Sequence, residues 1–309
     1  MKRAVVILNP VSGTGRGAGG PQREAALARD VLASEGLAVD VRFTEGPGDG
    51  QRLAREAMEG GASLVVAWGG DGTINEIGGV LAFGRVPLGI VPAGSGNGLA
   101  RDLGLPLDPR QALVVAARGS ERVIDAGELG GSLFFNVAGI GLDARIAALF
   151  ADRSGRRGLL AYAWITAREV LRYRAMDYRV VGDGVSADHH ALIIAFANSR
   201  QYGNGAQIAP AACLDDGRVE LVVVEGQSLL SMVTRMPALF RGTLRDAPGL
   251  SMRAVATARV EAAVPIPFHV DGEPRLGPTV VECRVHAGAL AVRVPLVMDE
   301  LAMAATVPA

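Results

Sequence analysis

Short apolar runs alternate with amphipathic stretches along the first third of the chain. The runs are rich in Val and Ile and are bounded by Gly, Pro or Asn, which predicts β-strands. The stretches between them carry apolar residues at three- and four-residue steps, which predicts helices at residues 17–35, 49–59 and 73–83. Such alternation predicts a parallel sheet with helices on both faces. The predicted strands are residues 4–8, 39–43, 63–67 and 87–91.

The pattern changes near Glu121, after which strand-like segments dominate. They are joined by turn dipeptides such as Gly130-Gly131, so we expect antiparallel strands. Residues 144–173 and 229–241 interrupt them with helical periodicity. The predicted strands of this part are residues 123–129, 133–138, 177–181, 191–197, 219–224, 252–261, 266–270, 279–284 and 291–294.

The change near Glu121 divides the chain into two predicted domains. We predict an α/β domain at residues 1–125 and a β-rich domain at residues 126–309, whose C-terminal tail can return to the first domain. The 309 residues are 49% hydrophobic and 20% charged, a globular composition that can bury a sizeable core. The net charge of -1 provides no electrostatic basis for a nucleic-acid partner.

Cysteine usage and hydropathy limit the cellular setting. Cys213 and Cys283 show no metal or redox spacing, which fits a reduced, intracellular protein. No apolar run approaches the ~20 residues of a membrane span. The N-terminal apolar run is too short for a signal peptide and is better explained as a strand. We therefore expect a cytoplasmic protein whose membrane contact is peripheral.

The basic residues narrow the possible chemistry. Lys2 is the only lysine in the chain, and every other basic side chain is an arginine. Genomic base composition is the simplest explanation. The bias nevertheless excludes a P-loop, which needs a lysine after its second glycine, and Schiff-base catalysis.

Three glycine-rich loops follow predicted strands one, three and four, at residues 9–17, 69–76 and 92–97. The carboxyl ends of parallel strands share one sheet edge, so we expect these loops to converge. One such loop alone is usually a turn. Three together, with Arg16 adding positive charge and helices starting after two of them, predict a polyphosphate-binding site.

Asp71 lies in the middle of the second of these loops. Phosphates would repel this carboxylate unless it binds Mg2+ or accepts a proton from an attacking hydroxyl group. A turn or helix-capping role is the simpler alternative, and both roles are compatible. We predict that Asp71 is functional.

The run Gly69-Gly70-Asp71-Gly72-Thr73-Ile74-Asn75-Glu76 resembles the GGDGTxNE signature of the diacylglycerol kinase catalytic-domain family. That family includes bacterial lipid kinases, sphingosine kinases and ceramide kinases. Further family motifs are matched in order along nearly the whole chain. They are Asn9-Pro10 with Ser12-Gly13, residues 92–97, residues 135–143, residues 198–210 and Asp271-Gly272-Glu273.

The resemblance implies a fold and an activity. The N-terminal domain would have an α/β fold with a parallel sheet, like NAD kinase and phosphofructokinase, and would bind nucleotide. The C-terminal domain would be a β-rich, lipid-binding sandwich with inserted helices that contributes the Asp-Gly-Glu motif. Together they would form an ATP- and Mg2+-dependent lipid kinase of phospholipid metabolism, with an interdomain cleft. An exposed strand edge could also pair two copies into a homodimer.

The resemblance also implies roles for individual residues. Asp71 would lie at the phosphate and acceptor site. Glu273 accepts the proton in the bacterial branch, whereas the sphingosine branch places that task nearer to Asp71, so both are candidate bases. Asp271 would share their hydrogen-bond and Mg2+ network, with support from Asp125. The predicted nucleotide-binding residues are Asn9, Ser12, Gly13, Arg16, Thr44, Gly69, Gly70, Gly72, Thr73, Asn75, Glu76, Gly94, Ser95, Gly96 and Asn97.

Three positions depart from the family pattern, and one of them, Asn204, replaces a glycine of the Tyr-Gly-Gly-Gly run, where Asn tolerates the left-handed conformation. Gly98 stands where the bacterial branch has an aspartate, which is closer to the sphingosine and ceramide kinase pattern. The branch's structural Mg2+ loop aligns with residues 213–218, where Asp216 and the carbonyl group of Arg218 match as ligands. Cys213 replaces an oxygen ligand, and a thiolate binds Mg2+ poorly. A plain Asp-Asp-Gly turn is an equal alternative for this loop.

Residues 144–173 mix apolar side chains with arginines, among them Arg153, Arg156 and Arg157. Without the resemblance, two ordinary surface helices would explain the pattern. With it, this stretch is predicted to form the lipid pocket and to touch an anionic membrane. Elsewhere, Met232, Met236 and Phe240 at four-residue steps are most simply explained as core residues. The histidines carry no functional signal, because no pair has metal-ligand spacing.

Two other functions remain open at this point. One is a kinase of the NAD kinase type with a soluble substrate, because the Gly-Gly-Asp-Gly loop also occurs there. Asn75-Glu76 and the Asp-Gly-Glu motif argue against it. The other is a nucleotide- or lipid-binding protein without catalysis. Asp71 and Glu273 argue against that, because an inactive kinase tends to lose its carboxylates.

Overall fold

The computed structural model describes residues 2–12, 20–151, 168–169, 172–226 and 229–296. Its first part contains the strands β1 (Arg3–Leu8), β2 (Ala38–Phe43), β3 (Leu64–Gly69) and β4 (Leu88–Pro92). These four strands are parallel and lie in the order β2-β1-β3-β4. Their carboxyl ends therefore share one edge of the sheet.

Helices cover both faces of this sheet. They are α1 (Gly20–Ser34), α2 (Asp49–Glu59), α3 (Asp71–Leu81), α4 (Gly98–Asp102) and α5 (Pro109–Arg118). Side chains alternate along β1: Val5 and Ile7 pack in a core with α2 and α3, and Val6 and Leu8 in a core with α1 and α5. The predicted parallel sheet with helices on both faces is confirmed.

Helix α3 begins two residues before its predicted start. Gly70 is extended, and its carbonyl group accepts the N–H of Ile74 at 3.0 Å, so the helix starts at Asp71. Asp108 caps α5 by accepting the N–H of Gln111 at 2.9 Å, and Pro109 occupies the first helical turn. The beginning of α3 places Asp71 at a helix N-terminus.

The second part of the chain is dominated by antiparallel strands. The order β16-β15-β7-β9-β8-β14-β17 continues the sheet, and Phe134, Phe196 and Phe268 lie in its core. The predicted β-rich second part is confirmed. The elements are β5 (Ser120–Leu129), β6 (Ser132–Phe134), β7 (Val137–Gly141), α6 (Leu142–Ala151), β8 (Met176–Gly182), β9 (Val185–Ala197), β10 (Gln201–Gly203), β11 (Ala206–Gln207), β12 (Val219–Glu225), α7 (Leu229–Arg241), β13 (Leu250–Val255), β14 (Thr257–Glu261), β15 (Pro267–Val270), β16 (Glu273–Leu276) and β17 (Val280–Val294).

Two predicted strands are each divided in the structure. The stretch 133–138 breaks at Phe135 and Asn136, because both backbone N–H groups donate to the Asp271 carboxylate at 2.9 Å. The stretch 252–261 breaks at Ala256, whose N–H donates to Asp183. Side chains distant in sequence therefore interrupt apolar runs that look continuous.

Strand β17 connects the two parts of the chain. Two segments predicted separately, residues 279–284 and 291–294, both belong to it. It runs antiparallel to β5 and pairs in parallel with β4 at Val292 and Leu88. Within the described residues, no helix is both long enough and apolar enough to cross a bilayer.

Candidate active site

The loops after β1, β3 and β4 meet at one edge of the sheet. Asn9 donates from its side-chain amide to the Thr73 hydroxyl at 2.9 Å, which joins the first loop to the second. Gly70 and Gly94 bring the second and third loops into backbone contact, because a Cβ on Gly94 would lie 2.7 Å from the Gly70 Cα. Only glycines permit this approach, so the predicted convergence of the three loops is present.

Asp71 ties the second loop to the third. Its two carboxylate oxygens accept the backbone N–H groups of Asn97 at 3.0 Å and Gly98 at 2.9 Å. Asn97 adopts a left-handed conformation, with φ of 51°, and exchanges side-chain hydrogen bonds with the backbone of Gly94. The carboxylate therefore fixes the third loop and keeps one acceptor site on each oxygen.

Burial and, secondly, the nearby negative charge of Asp271 together raise the pKa of Asp71 to about 6, against the opposing effect of the N–H groups of Gly98 and Asn97. The residue as a whole keeps some contact with solvent while its carboxyl group is largely covered. A carboxyl group that titrates this close to neutrality can hold or release a proton under physiological conditions.

Asp271 is held by four hydrogen bonds. One oxygen accepts the N–H groups of Asn136 and Val137, and the other accepts the N–H of Phe135 and the side-chain amide of Asn75. Four donors fill the acceptor capacity of a carboxylate. Asp271 therefore holds the chain between β6 and β7 against α3, with no lone pair left for a metal ion or a substrate.

Glu273 reaches the first turn of α3 from the other part of the chain. It begins β16, is exposed, and its Oε1 lies 2.7 Å from where a Cβ on Gly72 would be. Within the described ranges its side chain forms no hydrogen bond. Glu273 is therefore an unengaged carboxylate beside the N-terminus of α3.

Other predicted nucleotide-binding residues have structural partners. Glu76 accepts the N–H groups of Gly48 and Gly50, both at 2.9 Å, and so ties α3 to the start of α2. The Ser12 hydroxyl donates to the Asn9 carbonyl group at 2.8 Å. These contacts brace the loops, and the contact with ATP predicted for Glu76 and Ser12 stays a prediction.

The remaining predicted residues that the structure describes lie at the same sheet edge. Thr44 follows β2 and is buried, with its N–H donating to the Leu8 carbonyl group at 3.0 Å. Ser95 is exposed at the tip of the third loop. Gly13 and Arg16 lie outside the described residues. Gly69, Gly72, Thr73, Asn75 and Gly96 belong to the described loops or to the start of α3.

Asp125 lies apart from the predicted catalytic network. Its two oxygens accept the N–H groups of Gly217 at 2.6 Å and Gly288 at 2.7 Å. It therefore clamps the loop before β12 to an irregularity in β17. No hydrogen bond joins it to Asp71 or Asp271 within the described part of the chain, so the network predicted from the resemblance is corrected here.

The predicted metal ligands Asp216 and Arg218 lie in a turn. Asp216 accepts the backbone N–H of Arg218 at 2.9 Å, the neighbouring Asp215 pairs with Arg122 at 3.0 Å, and Cys213 donates to Asp215. The described residues contain no group of three or more His, Cys, Asp or Glu side chains able to hold a metal ion. The Arg122 guanidinium balances the charge of Asp215 in this loop, and binding of Mg2+ by Asp216 and the Arg218 carbonyl group stays a prediction.

Several polar side chains at the junction of the two parts were not predicted as site residues. Asn198 is fully buried and donates to the carbonyl groups of Asp125 and Phe135, both at 3.0 Å. The Ser199 hydroxyl donates to the Asn136 side chain. The sequence signal that could have identified them is the position of Asn198 and Ser199 directly after an apolar run, because polar groups that become buried need hydrogen-bond partners.

Asn136 also explains the glycine at position 98. A Cβ on Gly98 would collide with the Asn136 side-chain amide. An aspartate there, as in the bacterial branch of the resemblance, would need a different neighbour. The sequence departure at Gly98 is therefore matched by a specific contact.

The view that the histidines carry no signal is corrected at His269. This residue is buried in β15, and its Nε2 lies 2.6 Å from the Asp143 carboxylate. The Tyr202 hydroxyl donates to the same carboxylate. His269 lies two residues before Asp271, directly behind the hairpin that carries Glu273.

The predicted lipid-binding stretch 144–173 lies largely outside the described residues, as do Arg153, Arg156 and Arg157. Helix α7 has the predicted bounds. Its Met236 and Phe240 are 46% and 53% exposed, so the prediction that they face the core is wrong.

Comparisons with known proteins agree with this architecture. Residues 3–129 match the diacylglycerol kinase catalytic domain, and residues 136–294 match the YegS C-terminal NAD kinase beta sandwich-like domain. The chain resembles a diacylglycerol kinase structure from Bacillus anthracis str. Sterne, with a TM-score of 0.72, 18% identity, and coverage of 95% of this chain and 97% of that one. At this identity the likeness establishes the fold.

Sequence relatives are more informative about the family. A probable lipid kinase YegS-like protein from Chromohalobacter salexigens is 35% identical over 265 residues, 84% of this chain and 85% of the relative. One of the same name from Serratia proteamaculans is 32% identical over 306 residues, 91% of this chain and 93% of the relative. The similarity therefore extends across both parts of the chain.

Proposed function

The chain belongs to the family of lipid kinases built on the diacylglycerol kinase catalytic domain, and from that premise we propose that it transfers the γ-phosphate of ATP to a lipid hydroxyl group in the cleft between its two parts. The observation that supports this site best is the position of Glu273. Its carboxylate lies over Gly72, beside Asp71, although the two acids come from different parts of the chain.

ATP would lie along the three loops at the sheet edge. The N-terminus of α3 and the backbone amides of the second and third loops provide an electropositive surface for its phosphates. Ser95, exposed at the tip of the third loop, is available to contact the nucleotide. Asp71 keeps the third loop in place through Asn97 and Gly98.

Glu273 is the better candidate to accept the proton of the attacking hydroxyl group. It is exposed and unengaged within the described residues, whereas both oxygens of Asp71 already accept backbone N–H groups. A base must come within hydrogen-bond reach of the hydroxyl group it deprotonates. We therefore assign proton acceptance to Glu273, and loop fixation with local negative charge to Asp71.

Mg2+ is the metal that such a reaction commonly uses. Asp71 keeps one acceptor site on each oxygen and could supply an oxygen ligand, with the phosphates and water completing the shell, while Glu273 stays free to accept the proton. Asp271 is not available for this purpose. When bound, the metal ion would neutralise charge on the phosphate oxygens.

The acceptor is expected to be a diacylglycerol, a sphingosine-type lipid or a related lipid alcohol. The two named relatives carry the description lipid kinase and no acceptor. Gly98, with Asn136 packed against it, follows the sphingosine and ceramide kinase pattern. We therefore include both lipid classes among the candidates.

A screen with radiolabelled ATP tests this proposal. The purified protein would be offered dioctanoylglycerol, sphingosine, ceramide and phosphatidylglycerol in mixed micelles, with NAD as a soluble acceptor, and products would be identified by mass. We expect a phosphorylated lipid whose formation falls at least ~100-fold in Glu273→Gln. The matched control is Glu282→Gln, an exposed glutamate on β17. Phosphorylation of NAD alone would overturn the proposal.

We also propose peripheral contact with an anionic membrane. The arginines of residues 144–173 and the exposed Met236 and Phe240 of α7 support it, because basic and apolar side chains together favour a lipid surface. Binding to phosphatidylglycerol vesicles should weaken in Met236→Asn/Phe240→Asn and in an Arg153, Arg156 and Arg157 to Glu variant. Leu107→Asn, at another exposed apolar residue, should bind normally. Unchanged binding of both test variants would contradict the proposal.

A further inference from the structure

A buried His–Asp pair lies behind the hairpin that carries Glu273. His269 and Asp143 are 4% and 6% exposed, and the His269 Nε2 lies 2.6 Å from the Asp143 Oδ2. The Tyr202 hydroxyl donates to the same oxygen. Asp143 comes from the first turn of α6, His269 from β15 and Tyr202 from β10. Three elements therefore meet at one carboxylate that takes no part in the proposed reaction.

The other ring nitrogen of His269 faces the hairpin turn. The Gly272 N–H donates to its Nδ1 at 3.2 Å, so Nδ1 must carry no proton. The ring proton then lies on Nε2, where Asp143 accepts it. Burial lowers the pKa of His269, but the charge and hydrogen bond of Asp143, together with the charge of Asp271, outweigh burial and raise the pKa above its usual value. A doubly protonated ring would point a second N–H at Gly272, so the hydrogen bond from Gly272 forms with the neutral ring, at pH values above this raised pKa.

The turn that His269 holds determines the direction of Glu273. Asp271 and Gly272 both have positive φ, at 47° and 87°, as in the tight turns that join antiparallel strands. Glu273 follows at once, in register with Val270. Gly272 N–H is outside the strand ladder, so the His269 ring is what anchors it. A small rotation of the turn would move the Glu273 carboxylate away from Gly72.

The His269–Asp143 pair requires a glycine on the neighbouring strand. Gly139 lies opposite His269 in the pairing of β15 with β7, and a Cβ there would collide with both Asp143 and His269. Apolar side chains of similar volume often stabilise a core as well as or better than a buried ionic pair. The arrangement therefore suggests a role in orientation rather than in stability alone.

We propose that His269 is a positioning residue for phosphoryl transfer. Its Nε2–H tautomer, set by Asp143 and Tyr202, anchors Gly272 so that Glu273 stays over Gly72 and beside Asp71. This inference rests on the proposed role of Glu273 as the proton acceptor. His269 acts on the reaction only through the hairpin turn, so it affects kcat and leaves the KM for ATP unchanged.

Two substitutions separate positioning from stability. In His269→Asn the amide oxygen replaces Nδ1 and can still accept the Gly272 N–H, whereas in His269→Gln the amide group replaces Nε2 and keeps only the Asp143 contact. We expect kcat for the best lipid of the acceptor screen to fall at least ~10-fold in His269→Gln and less in His269→Asn. Thermal stability should show the opposite order: His269→Gln, which keeps the contact with buried Asp143, should be more stable than His269→Asn. If kcat followed the stability order instead, the inference would be overturned.

Further variants distinguish this inference from its premise. His286→Gln, at a histidine paired with Glu128 outside the site, is the matched control and should keep wild-type kcat. In a Glu273→Gln background, His269→Gln should cause no further loss, because the anchored carboxylate is gone. An undiminished further loss would overturn the positioning role alone. Wild-type kcat in Glu273→Gln would overturn the premise and the inference together.

The tautomer of the His269 ring can be determined without an activity assay. Nitrogen-15 NMR at pH 8, with the His269 signals assigned by comparison with His269→Asn, should show a proton on Nε2 and none on Nδ1. The Gly272 amide should exchange with solvent more slowly in the wild type than in His269→Gln. A proton on Nδ1, or equal exchange rates, would overturn the inference even if no lipid substrate were found.

Discussion

At the scale of single residues, the two acids of the site differ because their surroundings differ. Asp71 is covered by the third loop and accepts two backbone N–H groups, whereas Glu273 is exposed at the start of a strand. Burial and the charge of Asp271 raise the pKa of Asp71 to about 6. Two carboxylates in different environments can take different tasks within one reaction.

The raised pKa of Asp71 makes the stability of the protein dependent on pH. The folded state binds this proton more tightly than the unfolded state does, so the contribution is present at low pH and is lost as pH rises through about 6. The change from 3.8 to about 6 corresponds to ~3 kcal/mol. We expect the unfolding free energy of the metal-free wild type, relative to Asp71→Asn, to fall by up to that amount between about pH 4 and pH 7.

Urea unfolding of both proteins at several pH values measures this difference. The comparison cancels groups that titrate alike in the two proteins. The hydrogen bond lost in Asp71→Asn adds an offset that does not depend on pH. A constant difference across this range would show that the pKa of Asp71 is not raised in the folded protein.

Gly72 is the residue over which the Glu273 carboxylate lies. A Cβ in Gly72→Ala would lie 2.7 Å from Glu273 Oε1, and this flexible, exposed side chain can move away at little cost. We therefore expect stability to change by less than ~1 kcal/mol while kcat falls at least ~10-fold. Lipid phosphorylation and thermal unfolding measure the two effects.

Gly79 provides the matched control on the same helix. A Cβ there meets nothing within 4 Å, so Gly79→Ala should stabilise α3 by ~0.5–1 kcal/mol and leave kcat unchanged. Equal kcat values in Gly72→Ala and Gly79→Ala would mean that the placement of Glu273 does not matter for the reaction.

At the scale of elements, the local sequence pattern was sufficient to predict strands and helices that depend only on local packing. Strands β1, β3 and β4 are short apolar runs buried along almost their whole length, and their pattern predicted a parallel sheet. The convergence of the three glycine-rich loops followed from that topology. The break at Phe135 and Asn136 could not be predicted, because its cause, Asp271, is 135 positions or more away.

The His269–Asp143 pair behind the site could not be predicted from the sequence, for a related reason. His269 lies between Phe268 and Val270 in an apolar strand, and no other histidine stands at ligand spacing. Its partner Asp143 is 126 positions away. The role predicted for Asp125 failed for the same reason. The sequence shows its carboxyl group but not its hydrogen-bond partners, the N–H groups of Gly217 and Gly288. Long-range hydrogen bonds are settled by the fold, after topology has brought the strands together.

The Asp125 clamp should act on stability and not on catalysis. Asp125→Ala would leave the N–H groups of Gly217 and Gly288 without their acceptor in a buried place, which costs about 2–4 kcal/mol. Urea unfolding should show this loss, while kcat at a temperature where the variant is folded should be unchanged. Glu121→Ala, on the exposed end of the same strand, should cost less than ~0.5 kcal/mol. A selective loss of kcat would instead support the catalytic network first predicted.

At the scale of the whole molecule, the proposed cleft depends on how the two parts of the chain are held together. Strand β17 joins them through the sheet, and Asn75 joins α3 to Asp271. A third connection lies near the third loop, where Asn204 donates its N–H to the Gly96 carbonyl group at 3.3 Å. The hairpin of β10 and β11 thereby covers the loop proposed to bind ATP phosphates.

An ion pair anchors that hairpin. Asp102, at the end of α4, has a side chain only 3% exposed and accepts from Arg200, which precedes β10, through Nε at 2.7 Å and the backbone N–H at 3.2 Å. A charge-assisted contact of this geometry is worth about 1.5–3 kcal/mol. Loss of it should free the hairpin from the third loop and weaken nucleotide binding.

We expect Asp102→Asn and Arg200→Gln each to raise the KM for ATP about 3- to 10-fold, through loosening of the hairpin rather than through loss of a nucleotide contact. The double variant should show little more than either single change, because both remove the same connection. Arg42→Gln is the matched control. Arg42 lies on β2, away from the hairpin, and pairs with Asp40 and with Glu56 of α2, so its loss should leave the KM for ATP unchanged. Additive effects in the double variant would show that Asp102 and Arg200 act separately, and the hairpin would then not be held by their pairing.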